Sequence, residues 1–272
     1  MPELPEVETI RRGIEPHVLG RRIGRVVVRD PRLRWPVQPD LPARLAGRRI
    51  EQAARRAKYL VLHLDNGDRL LIHLGMSGRI WVLDPTVAPI KHDHVDIELD
   101  SGQLLRFHDP RRFGAVLLWS AGEPHHELLR HLGPEPFDPA FHGDYLFELS
   151  RGRSAAVKNF VMDGNVVVGA GNIYAAESLF RAAIRPTRAA GKVTRAEYVE
   201  LASRIREVLN EAIVRGGTTL RDFAGATGEL GYFQQELYVY GREGEPCRRC
   251  GTGIRRKVIG QRSSFYCTRC QR

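Results

Sequence analysis

Residues 59–74 read YLVLHLDNGDRLLIHL. Two runs of apolar and β-branched residues, Tyr59 to Leu64 and Leu70 to Leu74, flank the pair Asn66-Gly67. Asn-Gly is a preferred two-residue hairpin turn, because both of its residues tolerate positive φ angles. The stretch therefore predicts two adjacent antiparallel strands and a β-rich first half of the chain.

Similar short runs continue on both sides of this hairpin. The strand-like runs are Val26 to Arg29, Ile80 to Leu83, Val95 to Leu99, Leu104 to Phe107 and Ala115 to Trp119. Ser101-Gly102 separates two of them as a second tight turn. Several short strands joined by turns predict an antiparallel sandwich or barrel.

A helix is predicted before the first strand, with Pro5 at its first helical position and its end near Gly20. Its apolar residues recur at helical spacing: Val7, Ile10, Ile14 and Val18. Proline is favoured at a helix start, where its missing N–H leaves no bond unmade.

The chain begins MPELPE, and Pro2 becomes a terminal secondary amine if Met1 is removed. An α-amino group has a pKa of about 8, against about 10.4 for lysine, so more of it is unprotonated at neutral pH. Attack of this amine on a sugar C1′ would give a cationic iminium ion, and Glu3 could move protons beside it. The alternative is that Pro2 and Pro5 only lead into the helix.

The second half of the sequence is mostly helical. A short segment from His126 to His131 ends at Gly133-Pro134, and a loop rich in proline and phenylalanine follows as the expected linker. Thr194 and Glu197 form a capping-box pattern before a long helix that Gly216 and Gly217 end.

Two shorter helices are expected between the linker and the long helix. Ser154 is expected to cap a helix that contains Val157 and Phe160, and Asn172 to cap another that runs towards Ala183.

The balance of charge points to a polyanionic partner. The 272 residues contain 42 Lys and Arg against 32 Asp and Glu, a formal charge of +10. Nucleic acid is the leading candidate, and a basic soluble protein without such a partner is the alternative. The length suits two domains, and the sequence shows neither a secretory leader nor a membrane-spanning apolar run. We therefore expect a cytoplasmic or nucleoid-associated protein.

The four cysteines form two Cys-x-x-Cys pairs separated by sixteen residues: Cys247, Cys250, Cys267 and Cys270. Four thiolates at this spacing are typical of a zinc ribbon with one closed, structural zinc site. Two disulfides are the alternative, which the missing secretory leader disfavours. No acidic residue follows Cys247, so this basic tail is expected to contact phosphate.

Three glycine-containing turns are candidate nucleic-acid contacts. Gly169 to Asn172 opens a helix and could hold a phosphate, although an ordinary helix entry has the same pattern. The other two turns carry Met76, Arg111 and Phe113. An enzyme that extrudes a base needs such side chains to fill the vacated stack, whereas the alternative is ordinary turn and core packing.

Together these residues resemble the bacterial formamidopyrimidine-DNA glycosylase family. The shared segments are PELPE at 2–6, KYL at 58–60, HLGMSG at 73–78, DPRRFG at 109–114, GNIY at 171–174 and the four cysteines. The resemblance implies an α+β chain: an N-terminal antiparallel β-sandwich with an N-terminal helix, a helical domain with a helix-two-turn-helix motif, and a zinc-finger β-hairpin. The corresponding expected boundaries are 1–133, 134–236 and 237–272.

The resemblance also implies a bifunctional glycosylase and abasic-site lyase that excises 8-oxoguanine and formamidopyrimidines from duplex DNA. Pro2 would be the nucleophile, and Glu3 would assist ring opening and elimination. Lys58 and Arg262 complete the catalytic residues: Lys58 would contact phosphate or the lesion, and Arg262 would contact the phosphates around the extruded nucleotide. No redox or nucleotide cofactor is expected beside the structural Zn²⁺, and the protein is expected to be a monomer without membrane contact.

Further DNA and lesion contacts follow from the same resemblance: Glu6, Met76, His92, Arg111, Phe113, Lys158, Asn172 and Arg221. Arg221 stands where the lesion-covering loop of the family often has lysine, and because Arg and Lys bind differently the resemblance does not define the contact made there. Two alternatives stay open. One is the endonuclease VIII type of glycosylase, which prefers oxidised pyrimidines, and the other is a non-catalytic zinc-ribbon DNA-binding protein.

Overall fold

The computed structural model describes residues 2–216 and 237–272. Their contacts divide them into two compact units. The first unit contains residues 2–130 and 215–216, and the second contains 131–214 and 237–272. Within these ranges, no helix is long and apolar enough to cross a membrane.

Helix α1 opens the first unit and spans Leu4–Val18. It begins one residue earlier than predicted, so Pro5 is its second residue, and Glu3 is the N-cap. Its apolar face is fully buried in the core of the first unit, as the helical spacing predicted: Val7, Ile10, Ile14 and Val18. Burial of this face fixes the helix, and with it the N-cap Glu3, on the sheets.

Eight strands follow in the first unit: β1 Ile23–Val28, β2 Ile50–Arg56, β3 Tyr59–Leu64, β4 Arg69–His73, β5 Arg79–Leu83, β6 Asp93–Leu99, β7 Leu104–His108 and β8 Ala115–Trp119. They form two antiparallel four-stranded sheets, in the orders β1-β6-β7-β5 and β2-β3-β4-β8. Buried residues of both sheets share one core with α1. The predicted antiparallel sandwich is confirmed, and Gly67 in its first hairpin turn has a φ of 83°.

Two elements of this unit were not predicted. Strand β2 reads IEQAARR, whose charged residues hide the alternation of buried and exposed positions, and only Ile50 and Ala53 are buried in it. Strand β2 is held in place by its hydrogen bonds to β3 and not by a pattern in its own sequence. The short helix α2, Leu41–Leu45, buries both of its terminal leucines.

The second unit is mainly helical and ends in a hairpin. Its elements are α3 Gly143–Ser150, α4 Val157–Met162, α5 Asn172–Arg181, α6 Arg195–Val214, β9 Arg255–Ile259 and β10 Arg262–Tyr266. A 3₁₀ turn at Ala190–Lys192 precedes α6, and another lies in the first unit at Glu127–Leu129. The predicted α+β class is therefore confirmed, with the helices placed after the sandwich.

The predicted helix caps hold in one case out of three. Thr194 and Glu197 exchange the expected bonds, with the Thr194 N–H donating to Glu197 Oε2 at 2.8 Å and the Glu197 N–H to Thr194 Oγ1 at 3.3 Å. Ser154 does not cap α4, whose N-cap is Ala156. Asn172 is not a cap either, because α5 begins at Asn172 itself and Gly171 is the N-cap.

Candidate active site and DNA-contacting residues

The first described residues, Pro2 and Glu3, are buried at the start of α1. Pro2 is buried, and Glu3 and Glu6 are only 3% and 2% exposed. The Glu3 N–H donates to Glu6 Oε2 at 2.7 Å within a capping box. The structure thus brings together three predicted site residues and uses one carboxylate to orient the backbone that follows Pro2.

Lys58 lies at the turn between β2 and β3, next to His73 at the end of β4. Tyr59 and His73 are cross-strand partners with ring centroids 4.7 Å apart. Burial, followed by the charges of Lys58 and Arg34, lowers the pKa of His73 to about 4. His73 is therefore neutral at pH 7, and its Nδ1 accepts a hydrogen bond from the Gly75 N–H at 3.1 Å.

The predicted void-filling residues lie on two neighbouring turns. We name residues 75–78, with Met76, the first wedge turn, and residues 109–114, with Arg111 and Phe113, the second wedge turn. Met76 is 39% exposed and Phe113 43% exposed, while the Arg111 guanidinium lies 4.8 Å from the Phe113 ring centroid.

Both wedge turns line one cavity of about 510 Å³. Its walls are Arg34, His73, Gly75, Met76, Arg112 and Phe113. Exposed apolar and planar side chains beside an apolar cavity fit a surface that meets nucleobases.

His92, a predicted DNA contact, precedes β6 and adopts an unusual backbone conformation. Its φ is 78°, a region that non-glycine residues rarely occupy. Its ring lies 6.1 Å from the ring of His108 and 6.3 Å from that of His94. A strained backbone of this kind needs surrounding contacts to hold it, and it is common at binding sites.

In the second unit, Lys158 and Asn172 join the helices to the terminal hairpin. Lys158 is 0% exposed. Its Nζ donates to Asn172 Oδ1 at 2.5 Å, to Ser264 Oγ at 2.7 Å and to the Ser263 carbonyl at 3.2 Å. The Asn172 Nδ2 donates to the Ser263 carbonyl at 3.1 Å and to the Tyr240 hydroxyl at 3.4 Å.

Arg262 is the first residue of β10 and is exposed to solvent. Gly260 and Gln261 form the turn before it with φ values of 55° and 62°, as in a tight hairpin. A Cβ at Gly260 would lie 2.6 Å from the side-chain amide of Asn159 on α4. The hairpin tip is therefore pressed against α4, which fixes the strand that presents Arg262.

Two sets of site-supporting residues carried no sequence signal. Ser263 and Ser264 stand in a basic hairpin, where their bonds to Lys158 follow only from the fold. Glu177 is 2% exposed, and its carboxylate accepts the N–H groups of Tyr238, Val239 and Tyr240 at 2.8, 3.0 and 2.9 Å. Burial raises the pKa of Glu177 above its usual value.

Arg221, a predicted lesion contact, lies outside the described residues.

The four cysteines lie at one point of the second unit. Their Sγ atoms are all within 4.8 Å of one another. The Cys247 and Cys270 sulfurs are 3.9 Å apart and those of Cys250 and Cys267 are 3.5 Å apart. A disulfide is only about 2.05 Å long, whereas Zn–S bonds of about 2.3 Å place tetrahedral sulfurs roughly 3.8 Å apart. The spacing fits zinc and not disulfides.

Comparisons with known families agree with this arrangement. The family model described as "Formamidopyrimidine-DNA glycosylase N-terminal domain" matches residues 1–116, and that of the H2TH domain of the same glycosylase matches residues 132–224. Residues 244–272 match a zinc finger found in FPG and IleRS. The chain belongs to the formamidopyrimidine-DNA glycosylase family.

Relatives and solved structures extend the match to the full chain. The formamidopyrimidine-DNA glycosylases of Stutzerimonas stutzeri and Pseudomonas putida are each 60% identical over 272 residues, with all of both chains covered. The MutM (Fpg) protein of Thermus thermophilus is 40% identical with a TM-score of 0.88, covering 99% of this chain and 98% of its own. A Lactococcus lactis Fpg mutant bound to DNA containing Fapy-dG is 33% identical with a TM-score of 0.92, covering 100% of both chains.

Family membership establishes the activity. This formamidopyrimidine-DNA glycosylase family member is a DNA glycosylase and abasic-site lyase that acts on oxidised purines in base excision repair, and DNA is its partner. It contains one structural zinc, since the zinc-finger match and the four-sulfur cluster coincide. Four protein ligands leave no position for a reactive water on the metal.

Removal of zinc is expected to unfold the terminal hairpin and to weaken DNA binding. Replacing Cys250 with Ser should lower the zinc content, measured by atomic absorption, from one per chain towards zero, because a neutral hydroxyl is a poor substitute for a thiolate. As a control, Ser263→Ala in the same hairpin keeps all four thiolates and should retain the metal. Full zinc content in the Cys250→Ser protein would contradict the assignment of this ligand.

The depressed pKa of His73 is expected to make folding stability pH-dependent. Between pH 6.5 and about 4 the unfolded chain binds a proton that the folded protein resists, so stability falls as the pH falls through this window. Denaturant unfolding of His73→Gln between pH 7 and 4 should show a shallower loss than the unaltered protein. His125→Gln, at an exposed histidine, is the control. Equal slopes for all three proteins would contradict the assignment.

Proposed function

We propose that the Pro2 nitrogen is the nucleophile of this glycosylase and that Glu3 transfers protons beside it. The observation that carries the proposal is the burial of Pro2, Glu3 and Glu6 together at the N-terminus of α1. A terminal secondary amine at this place can form an iminium ion without a lysine, and the bond from the Glu3 N–H to Glu6 holds the backbone that follows Pro2.

The reaction begins when the Pro2 lone pair attacks C1′ and the bond from C1′ to the base nitrogen breaks. The bonding electrons leave with the base, which takes up the proton that the Pro2 nitrogen gives up after its attack. Glu3 then gives a proton to the ring oxygen O4′, the C1′–O4′ bond opens, and the nitrogen and C1′ form an iminium ion. Because Pro2 is a secondary amine, this ion has no N–H proton to lose and stays cationic.

The iminium ion makes the C2′ proton acidic. Loss of that proton and expulsion of the 3′ phosphate constitute β-elimination, and a second elimination expels the 5′ phosphate. Both flanking phosphodiesters are then cut, and water releases the sugar fragment from Pro2. The mechanism requires removal of Met1, since an amide nitrogen is not nucleophilic.

The remaining residues are assigned to contacts with the DNA, and Lys58 and Arg262 serve the reaction through theirs. Asn172 and Arg262 contact the phosphates around the extruded nucleotide, Lys58 contacts phosphate or the lesion, and His92 contacts DNA. Met76, Arg111 and Phe113 fill the vacated stack, with Arg111 facing the orphaned cytosine. Lys158 acts by holding Asn172 and the terminal hairpin, as its three protein acceptors favour. Arg221 is assigned to the loop that covers the lesion.

The partner is double-stranded DNA containing oxidised purines, bound by a monomer that makes no membrane contact. Because this DNA is the bacterial chromosome, we place the protein in the cytoplasm, associated with the nucleoid. The proposed domains are the β-sandwich domain at 1–133, the helical domain at 134–236 and the zinc finger at 237–272.

Borohydride trapping tests the nucleophile. The processed protein should form a covalent adduct with a duplex carrying 8-oxoguanine, because borohydride reduces the iminium ion to a stable amine. Pro2→Gly should trap far less, and a chain that retains Met1 should trap none. A processed protein that turns over the duplex without a trapped adduct would refute the role of Pro2.

A duplex carrying thymine glycol is the comparison substrate for the same assay. The endonuclease VIII type of enzyme prefers oxidised pyrimidines, so faster turnover of thymine glycol than of 8-oxoguanine would favour that alternative. The assigned function predicts the opposite order.

Substitution of Arg262 tests the phosphate contact of the hairpin. Arg262→Ala should weaken binding about equally for different DNA sequences and reduce the slope of log K against log[salt] by about one phosphate contact. Arg204→Ala is the control, because that arginine is paired with Glu200 and Glu207 on α6. An unchanged slope in Arg262→Ala would show that this side chain contacts no phosphate.

A further inference from the structure

The two wedge turns touch each other through their backbones. A Cβ at Gly75 would lie 2.4 Å from the Phe113 carbonyl carbon, and a Cβ at Gly114 would lie 2.6 Å from the His73 carbonyl oxygen. Contacts below 3.0 Å are not tolerated without movement of the backbone. Glycine at both positions therefore lets the turns approach more closely than any larger residue would.

One buried carboxylate bridges these turns. Asp109 is 0% exposed. Its Oδ1 accepts a hydrogen bond from Ser77 Oγ in the first wedge turn at 2.7 Å, and its Oδ2 accepts from the Gly114 N–H in the second at 2.8 Å. Ser77 Oγ also accepts from the Arg111 N–H at 3.3 Å. The turns that carry Met76, Arg111 and Phe113 are thus linked through the side chain of one residue.

The backbone of Asp109 is itself anchored to the strand region behind the turns. Its carbonyl contacts His94 Nε2 at 2.8 Å, and its N–H donates to the His92 carbonyl at 3.0 Å. His94 belongs to β6, and His92 is the predicted DNA contact with positive φ. These two contacts fix the backbone position of Asp109, and its carboxylate can therefore hold both turns.

We propose that Asp109 is a positioning residue that couples the two wedge turns, so that Met76, Arg111 and Phe113 enter the DNA stack as one unit. This proposal rests on the void-filling role assigned to those three side chains. Asp109 is fully buried and acts only through the turns. Replacing its carboxylate with an amide removes one acceptor and sets an N–H group against a donor of one of the turns, which leaves a buried donor unsatisfied.

The proposed coupling acts on the step in which an intact base leaves the stack. Extrusion of a stacked base requires its place to be filled, whereas an abasic nucleotide has no base to unstack. Loosening of the wedge turns should therefore slow excision of 8-oxoguanine much more than cleavage of a preformed abasic site. A general loss of folded protein would reduce both activities together.

The test compares Asp109→Asn and Ser77→Ala with Asp84→Asn under single-turnover conditions. Asp84 is a matched control, because it accepts from the hydroxyl and the N–H of Thr86 in an exposed loop. We expect excision from an 8-oxoguanine·cytosine duplex to fall about tenfold in the two test variants, the equivalent of one lost hydrogen bond. Abasic-site cleavage should stay within about twofold, and Asp84→Asn should match the unaltered protein in both assays.

The variants Met76→Ala and Phe113→Ala distinguish failure of the coupling by Asp109 from failure of the void-filling role. With Ser77 present, the double variant should slow excision by less than the product of the two single effects. With Ser77 replaced by Ala, the double variant should slow excision by that product. If both single variants excise normally, the void-filling role fails. If they excise slowly while Asp109→Asn and Ser77→Ala excise normally, only the coupling fails. Should Asp109→Asn not fold, the Ser77→Ala results decide between these outcomes.

Discussion

The burial of helix α1 against the sandwich is the constraint on which the first half of the site depends. Its four apolar residues are enclosed in the core that both sheets share, so close packing sets the position of the helix. The residue before its first turn is Glu3, and the residue before that is the proposed nucleophile Pro2. A chain terminus is ordinarily the most mobile part of a protein. Here core packing holds the helix that directly follows the proposed nucleophile.

Patterns that repeat along the chain made most of the fold predictable from the sequence. The hairpin around Asn66-Gly67, the buried face of α1 and the capping box at Thr194 each depend on neighbours within a few residues, and the structure has all three. Strand β2 escaped prediction because its charged residues obscure the period of two, and its partner β3 determines its position. Local patterns therefore predict elements that stabilise themselves and miss those that depend on a partner.

The same distinction holds for the site. The cysteine spacing predicted a metal cluster because two short turns form most of it, and the four sulfurs do meet. Asn172 was predicted as a helix cap, but its side chain instead bonds to the Ser263 carbonyl, 91 residues away in the chain. The bridge from Asp109 to Ser77 spans 32 residues. Such long-range bonds produce no repeating pattern in the sequence. The roles of four residues were therefore found only in the structure: Ser77, Ser263, Ser264 and Glu177.

The zinc site supports Lys158 and Asn172 indirectly, through the terminal hairpin. The cysteine pairs flank the hairpin of β9 and β10, and that hairpin provides Ser263 and Ser264 as acceptors for the buried ammonium of Lys158. An ammonium group that loses its acceptors inside a protein is strongly destabilising. Loss of the metal would therefore reach beyond the hairpin, because Lys158 would lose two acceptors while still holding Asn172. The zinc thus supports the proposed phosphate contacts through the buried Lys158 and has a structural role only.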